Sequence, residues 1–356
     1  MTQDQRLRGA FVGFGNVAAN GHAPAWRDRP DVVMVAAADP VQDQRRAFEA
    51  AFPGGRAYAS LEDLLASETL DFIDLCTPPG DRLRTITLAL EAGVHVLAEK
   101  PLAISFAEAT AIADAAARTG RIVHTVHNWL AAPACLKVSE LIDSGAIGEV
   151  RSVRWRTLRT GPAITVGDEA GDNWRLDPRV AGGGILVDHG WHAYYCVQSW
   201  IGAAPVLVSA TLENRRFRQL AVEDTATVDL EFAQGRTSHV HLSWAADERS
   251  NSVEVQGERG LIRIEGPAVL LRTESGERRW ERPPALSEGS HHPKRFGLVA
   301  DAFLRAAAGS APANLNDALL CAELIDLARA SSAAGGSRLP VGATGALAQG
   351  MEAMVQ

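Results

Sequence analysis

The first third of the chain is built from short apolar runs separated by stretches with helical spacing. Leu7–Val12, Val32–Ala38, Phe72–Cys76, Val94–Ala98 and Ile122–Val126 are the runs, and between them Arg82–Glu91 and Ser105–Thr119 repeat apolar residues every three or four positions. Runs this short, without polar alternation, suit strands buried on both faces, and helices between them give the βα repeats of a parallel, doubly wound sheet. From residue 149 the period changes to two. Glu149–Arg159, Val206–Asn214, Thr225–Phe232, Thr237–Ala245, Ser252–Gln256, Gly260–Glu265 and Val269–Thr273 are β-like, with glycines at Gly235 and Gly260 where hairpins would turn. Such a series predicts a large, mainly antiparallel open sheet, one face of which could carry a subunit contact. Helical patterns return at Lys294–Ala308 and Leu315–Ala334, and Pro283–Pro293 has the composition of a surface loop. The expectation is an α/β protein of two domains. Residues 1–128 form a doubly wound parallel sheet, and residues 129–356 an α/β domain that binds substrate and assembles subunits.

Composition narrows the class. At 356 residues with 46% apolar content the chain can fill two cores. No stretch of about 18 apolar residues without charge occurs, and the first residues lack the apolar core of a signal peptide, so a cytoplasmic protein away from membranes is expected. A net charge of -8 argues against nucleic acid as a partner. Cys76, Cys135, Cys196 and Cys321 have neither C-x-x-C nor Cys/His metal spacing and read as core fillers.

The first strand runs into Gly13-Phe14-Gly15-Asn16-Val17-Ala18, a G-x-G-x-x-A dinucleotide fingerprint. Gly13 would permit the tight turn, Gly15 would let the backbone approach a pyrophosphate, and Ala18 would let the helix lie against the strand. The second strand ends in Asp39, placed for the adenosine ribose hydroxyls. Asp39 would repel a 2′-phosphate, which favours NAD; Arg45 and Arg46 keep NADP as a lesser alternative. Lys100 closes a later apolar run in Glu99-Lys100-Pro101, where a strand's carboxyl end faces the ligand crevice of an open α/β sheet. Further on, Gly182-Gly183-Gly184 precedes an expected helix, Ile185–Ile201, closed by Gly202. Asp188 and His192, four apart, would share one face of it, and a histidine held by a carboxylate suits proton transfer. Three successive glycines are read as allowing backbone to approach a ligand.

In that order, with Cys76-Thr77-Pro78 and Trp174-Arg175 added, these motifs resemble the glucose–fructose oxidoreductase, inositol dehydrogenase and rhizopine catabolism (Gfo/Idh/MocA) family over nearly the whole chain. The resemblance implies a Rossmann domain followed by an α/β domain whose open sheet mediates a homodimer or homotetramer. It implies cofactor contacts from Gly13, Phe14, Gly15, Asn16, Val17, Ala18, Asp39, Cys76, Thr77, Pro78, Glu99, Lys100 and Asn128. It gives Lys100 the reacting substrate oxygen, makes Asp188 and His192 the acid/base pair, and suggests a cis bond before Pro101. Trp174, Arg175 and Tyr195 join Lys100 and His192 as candidate substrate contacts, although a Trp-Arg pair is equally explained by packing. The chain departs from the family pattern at Arg82, where relatives often carry histidine. It departs again at Asn128-Trp129-Leu130-Ala131 in place of Asn-x-Arg-Phe, and at Tyr195 in place of an acid. These departures bear on the substrate, not on hydride chemistry.

The leading expectation is an NAD(H)-dependent dehydrogenase or reductase acting on a secondary alcohol of a sugar, inositol or derivative, with no metal required. The alternatives are a glycosidase that uses NAD for transient oxidation and a non-catalytic NAD-binding sensor.

Overall fold

The computed structural model describes residues 6–163, 173–289 and 291–342. The chain divides into two compact units. The first comprises Met1–Ala103, Ala107–Ala131 and Gly289–Ala318, the second Ile104–Phe106, Ala132–Glu288 and Leu319–Gln356.

In the first unit six strands are parallel: β1 (Leu7–Val12), β2 (Val32–Ala38), β3 (Arg56–Tyr58), β4 (Phe72–Leu75), β5 (His95–Ala98) and β6 (Val123–Thr125). Their order is β3-β2-β1-β4-β5-β6. The winding reverses between β1 and β4, so the segments leaving those two strands run side by side, and the Cys76 N–H donates to the Val12 carbonyl at 2.8 Å. Phe11, Phe14, Trp26, Phe48, Phe72, Phe296, Val299 and Phe303 belong to one buried cluster. The last three come from helix Pro293–Ala307, which returns to this unit from far along the chain.

The helix after the fingerprint does not begin as a regular α-helix. Ala18–His22 is a π-turn that passes into α-helix Ala23–Arg27, with the Ala23 N–H bonded to the Ala18 carbonyl. Pro24 lies in the first turn of that α-helix, where its missing N–H is tolerated.

The second unit carries nine strands: β7 (Val150–Leu158), β8 (Pro205–Glu213), β9 (Thr225–Phe232), β10 (Thr237–Ser243), β11 (Ser250–Gly257), β12 (Gly260–Glu265), β13 (Ala268–Thr273), β14 (Gly276–Glu281) and β15 (Leu339–Pro340). The order is β14-β13-β12-β11-β7-β10-β9-β8-β15, and among the described residues only β7 and β10 of this sheet pair in parallel. The period of two is visible in β7, where Val153 and Trp155 are buried while Arg154 and Arg156 are exposed. The arginine side of that alternation borders a depression of about 440 Å³ that also includes His239, His241 and Arg263, but neither Asp188 nor His192. The α/β architecture expected from the sequence pattern is therefore the one observed.

Two local readings need correction. The helix expected over Ile185–Ile201 is a π-turn, Leu186–Gly190, followed by α-helix Trp191–Ile201, with Gly202 closing it at φ 70°. The glycine run before it is explained by packing within the second unit. Gly182 has φ 80° and a Cβ there would lie 3.0 Å from Ile104. A Cβ on Gly183 would lie 2.5 Å from the Arg329 guanidinium, and one on Gly184 only 1.9 Å from the Glu223 carbonyl oxygen. The approaching backbone is that of Glu223, so the run needs no ligand to account for it.

Candidate active site

In the first unit the fingerprint glycines separate into two kinds. Gly13 turns with φ 83°, and a Cβ would sit 3.0 Å from the Thr77 methyl. Its N–H donates to the Ala38 carbonyl at 2.8 Å, so the fold itself requires this glycine. Gly15 has no left-handed φ, and among the described residues nothing lies within 4 Å of the Cβ it lacks. The fold leaves Gly15 unexplained, whereas close approach of a pyrophosphate would explain it. Phe14 contributes through its backbone, since its ring is buried and its N–H donates to Asp39 Oδ2 at 2.8 Å. The other Asp39 oxygen accepts the Val41 N–H at 2.8 Å, which fixes the carboxylate at the carboxyl end of β2. Arg45 is tied to the carbonyls of Asp39 and Pro40 at 2.7 and 2.9 Å. Ala18 is fully buried, while Asn16 is exposed and its Oδ1 accepts from Asn20. Two buried oxygens at residues assigned to the cofactor, Thr77 Oγ1 and Asn128 Oδ1, have no hydrogen-bond partner among the described residues. They follow β4 and β6 respectively, at the ligand-binding edge of the sheet, and a polar cofactor would satisfy them. The residues thus fit a dinucleotide.

Lys100 leaves β5 at a corner held from several directions. The Lys100–Pro101 peptide is cis, as the resemblance implied. The Glu99 carboxylate accepts the Lys100 N–H at 2.9 Å, and the Arg82 guanidinium donates to the carbonyls of Glu99, Pro101 and Thr77. Arg82 is 2% exposed, and burial pulls its pKa down to about 10. It is therefore a structural clamp on the lysine corner.

Sequence reasoning missed a second group beside that corner. His22 is 2% exposed, its Nδ1 lies 3.0 Å from Asp74 Oδ2 and its Nε2 3.2 Å from Glu99 Oε1. Burial opposes a charge on His22, yet Asp74 and then Cys76 raise its pKa well above the ordinary histidine value. Burial likewise opposes charge on Glu99, but His22, Lys100 and Arg82 hold its carboxyl below the usual range. Cys76 is not a plain core filler. Its sulfur is 3.3 Å from His22 Nδ1, and burial, then the charge of Asp74, push the thiol up to about 12. His22, Asp74 and Cys76 bring donor atoms within 4.8 Å of one another, a spacing that could hold a metal ion. Both ring nitrogens of His22 face carboxylate oxygens, Nδ1 toward Asp74 and Nε2 toward Glu99, which is the contact set of a doubly protonated ring. Cys135, Cys196 and Cys321 are fully buried, as core fillers should be.

In the second unit Asp188 and His192 lie on the π-turn and α-helix that follow Gly184. His192 is 5% exposed, and its Nδ1 meets the Tyr195 hydroxyl at 2.6 Å. Tyr195 is itself 2% exposed, so it acts on the imidazole ring. The Asp188 carboxylate lies 3.0 Å from Nδ1 of His189, and its charge is felt by Arg159 and Arg249. His189 and Tyr195 are thus partners of the pair that i,i+4 spacing alone did not reveal. Trp174 and Arg175 form a short 3₁₀ turn capped by Asn173, with the guanidinium carbon 4.4 Å from the Trp174 ring centroid.

Comparison with known proteins places this geometry. Residues 7–127 match a family described as oxidoreductase family, NAD-binding Rossmann fold, and residues 135–263 match the Gfo/Idh/MocA C-terminal domain. D-apiose dehydrogenase of Paraburkholderia graminis is 31% identical over 272 residues, covering 74% of this chain and 68% of its own. The dTDP-3,4-didehydro-2,6-dideoxy-α-D-glucose 3-reductase of Actinomadura kijaniata is 26% identical over 337 residues, covering 91% and 95%. The crystal structure of GenD2 from gentamicin A biosynthesis, in complex with NAD, superimposes with a TM-score of 0.79 at 26% identity over 94% of this chain and 96% of that one. Fold and site together define an NAD-binding Rossmann oxidoreductase. The chain belongs to the Gfo/Idh/MocA family. Among the described residues no helix is long and apolar enough to cross a membrane.

Proposed function

We propose that this oxidoreductase interconverts a secondary alcohol and a ketone on a sugar, inositol or sugar derivative. Bound NAD supplies the hydride acceptor, or NADH the donor. The observation that carries the reading is the fixed Lys100 corner on β5, in the same unit as a fingerprint whose Gly15 is explained by a dinucleotide and not by the fold. Removing hydride from a carbinol carbon requires a base for the hydroxyl proton and a positive charge for the developing alkoxide. His192 is the base; with Nδ1 occupied by Tyr195, proton transfer is assigned to Nε2. Lys100 supplies the charge, and Asp188 orients the imidazole. Asp39 selects NAD over NADP by repelling a 2′-phosphate. Trp174 and Arg175 border the substrate. The sugar names of the relatives support a polyol substrate, pentose or nucleotide-linked hexose included. In this reading residues 1–128 supply the cofactor contacts, residues 129–356 the substrate and subunit contacts, and the enzyme works in the cytoplasm as a homodimer or homotetramer.

The test is a panel of pentoses, glycosides, inositols and sugar nucleotides, followed by reduced-nicotinamide absorbance. Lys100→Met and His192→Ala should each lower kcat by about 10²-fold or more, the usual range for an acid/base group. NADH should still bind each variant within about threefold of the parent. Full turnover in either variant refutes its residue's role. Release of an aglycone without accumulation of NADH would replace the dehydrogenase reading with the glycosidase one, and NAD binding without any turnover across the panel would replace it with a sensor.

A further inference from the structure

The sequence reading gave His22 no function, and the chemistry above does not use it. It is nonetheless the contact shared by two buried carboxylates from different strands, Asp74 on β4 and Glu99 just beyond β5. The Trp26 indole N–H donates to Asp74 Oδ2 at 2.7 Å, and the Phe296 ring stacks on His22 with centroids 3.6 Å apart and planes 14° apart. One face of the imidazole is therefore covered by an aromatic ring, and both ring nitrogens face carboxylates. The remaining charged or titratable neighbours are Cys76 beside Nδ1, His291, which feels the charges of His22 and Glu99, and Lys100 and Arg82 acting on Glu99. The imidazolium supplies Asp74 with a cation at 3.0 Å and adds to the charges of Lys100 and Arg82 already acting on Glu99, which offsets the cost of burying both carboxylates.

The Glu99 carboxylate is occupied on both oxygens. Oε1 faces His22, and Oε2 accepts the backbone N–H of Lys100. The orientation of the Glu99 side chain thus fixes the peptide from which Lys100 springs, and His22 fixes that orientation. His22 also ends the π-turn that begins at Ala18, the last residue of the fingerprint. One side chain therefore joins the turn that would seat the pyrophosphate to the corner that aims the lysine.

We propose that His22 is a positioning residue that ties the dinucleotide-binding turn to Lys100 through Glu99. The proposal rests on the reading of Lys100 as the group that polarises the reacting oxygen. The pairing of Asp74, His22, Glu99 and Lys100 alternates in sign, so removing the imidazolium leaves Glu99 to rotate toward Lys100 and Arg82 and frees the lysine's peptide to turn.

The sequence offers a direct probe, because its only lysines are Lys100, Lys137 and Lys294. Reductive ¹³C-methylation of the full-length protein gives one dimethylamino resonance for each, with that of Lys100 assigned by its loss in Lys100→Arg. In the NADH-bound protein, His22→Gln is expected to shift or broaden the Lys100 resonance and leave those of Lys137 and Lys294 in place. Glu99→Gln should do the same, and the double variant should add nothing to Glu99→Gln. With a substrate from the panel, His22→Gln should lower kcat at least tenfold with KM within about threefold. A Lys100 resonance unmoved in folded His22→Gln, or effects that sum in the double variant, overturns the proposal. Should His22→Gln fail to fold, Glu99→Gln carries the test, and an unmoved Lys100 resonance there refutes the relay equally. The two readings separate cleanly. Full turnover in Lys100→Met sinks the catalytic role while the resonances still report whether His22 sets the lysine.

Discussion

Replacing Gly15 with alanine isolates the cofactor from the fold. The backbone there needs no left-handed φ, and among the described residues a Cβ meets nothing within 4 Å. Without cofactor, Gly15→Ala should therefore be neutral or stabilising by about 0.4–1 kcal/mol, because alanine restricts the unfolded chain. With cofactor, the methyl occupies the approach of the pyrophosphate, and overpacking of that kind costs about 1–3 kcal/mol, up to about a 100-fold loss in affinity. At NADH a hundredfold above the parent Kd, the parent gains about 2.7 kcal/mol against unfolding, while a variant weakened 100-fold gains only about 0.4 kcal/mol. For units of this size the parent's melting temperature should rise by roughly 5–10 °C on adding NADH and the variant's by about 1 °C. Calorimetry of both proteins with and without NADH, together with direct titration of NADH, measures each quantity. Gly13→Ala is the control, since its φ of 83° and its contact with Thr77 predict lost stability even without cofactor. An equal thermal shift in parent and Gly15→Ala, or a Gly15→Ala protein that melts early without cofactor, would refute the reasoning.

Three further outcomes follow from the same structure. Asp39→Ser removes the fixed negative charge at the end of β2 and should improve the NADP to NAD affinity ratio by about tenfold, corresponding to roughly 1.4 kcal/mol of repulsion; an unchanged ratio would clear Asp39 of selecting the cofactor. Gly184→Ala would drive a methyl into the Glu223 backbone and disturb three N–H bonds at 3.0–3.1 Å, from Gly184 and Leu186 to Glu223 Oε1 and from Ile185 to the Glu223 carbonyl. That should cost about 3–5 kcal/mol in urea unfolding, and a loss below about 1 kcal/mol would mean the backbone yields easily. Burial lowers the pKa of His124 to about 4 and of His127 to about 3. Between about pH 6.5 and 4 the unfolded chain binds the extra protons, so stability falls as pH falls, by about 2 kcal/mol per histidine between pH 7 and 5. His22 has the opposite sign, because its raised pKa gives stability that is complete below about pH 6.5 and is lost as pH rises. His127→Gln should reduce the acid-side loss between pH 7 and 5, measured by denaturant titration at several pH values, by about 2 kcal/mol, and an unaltered slope would exclude that histidine as a source.

The strands were legible wherever burial imposed a period. Val32–Ala38 and Thr225–Phe232 fall where the pattern put them because one is apolar throughout and the other alternates cleanly. Gly276–Glu281 was not legible, since Gly-Glu-Arg-Arg-Trp-Glu is exposed along almost its whole length and pairs only at the sheet edge with β13. Arg56–Tyr58 is too short to show a period. The two π-turns were hidden for a different reason, as hydrophobic spacing does not register one extra residue in a turn. Of the site, the glycines, Asp39 and Lys100 carried local motifs. His22, Asp74 and Glu99 did not, because they lie on separate elements 52 and 77 positions apart and meet only when the parallel strands are assembled. A lone histidine facing the apolar side of a helix was the available signal, and by itself it reads as core. Arg82 was visible only as a departure from the family pattern, and its clamp on the carbonyls around Lys100 explains why it is buried.

The return of helix Pro293–Ala307 to the first unit has a consequence for synthesis on the ribosome. Phe296 packs edge-on to Trp26 at 5.7 Å and Phe303 to Phe72 at 5.4 Å, so these late residues cover an apolar surface made by the earliest strands. The nascent nucleotide-binding half emerges unfinished and waits for the segment between residues 131 and 318, roughly 10–40 s at typical elongation rates. During that interval Trp26 and Phe72 are offered to whatever else is in solution. A chain halted anywhere before that helix is a substrate for chaperones and proteases, not a small working cofactor module.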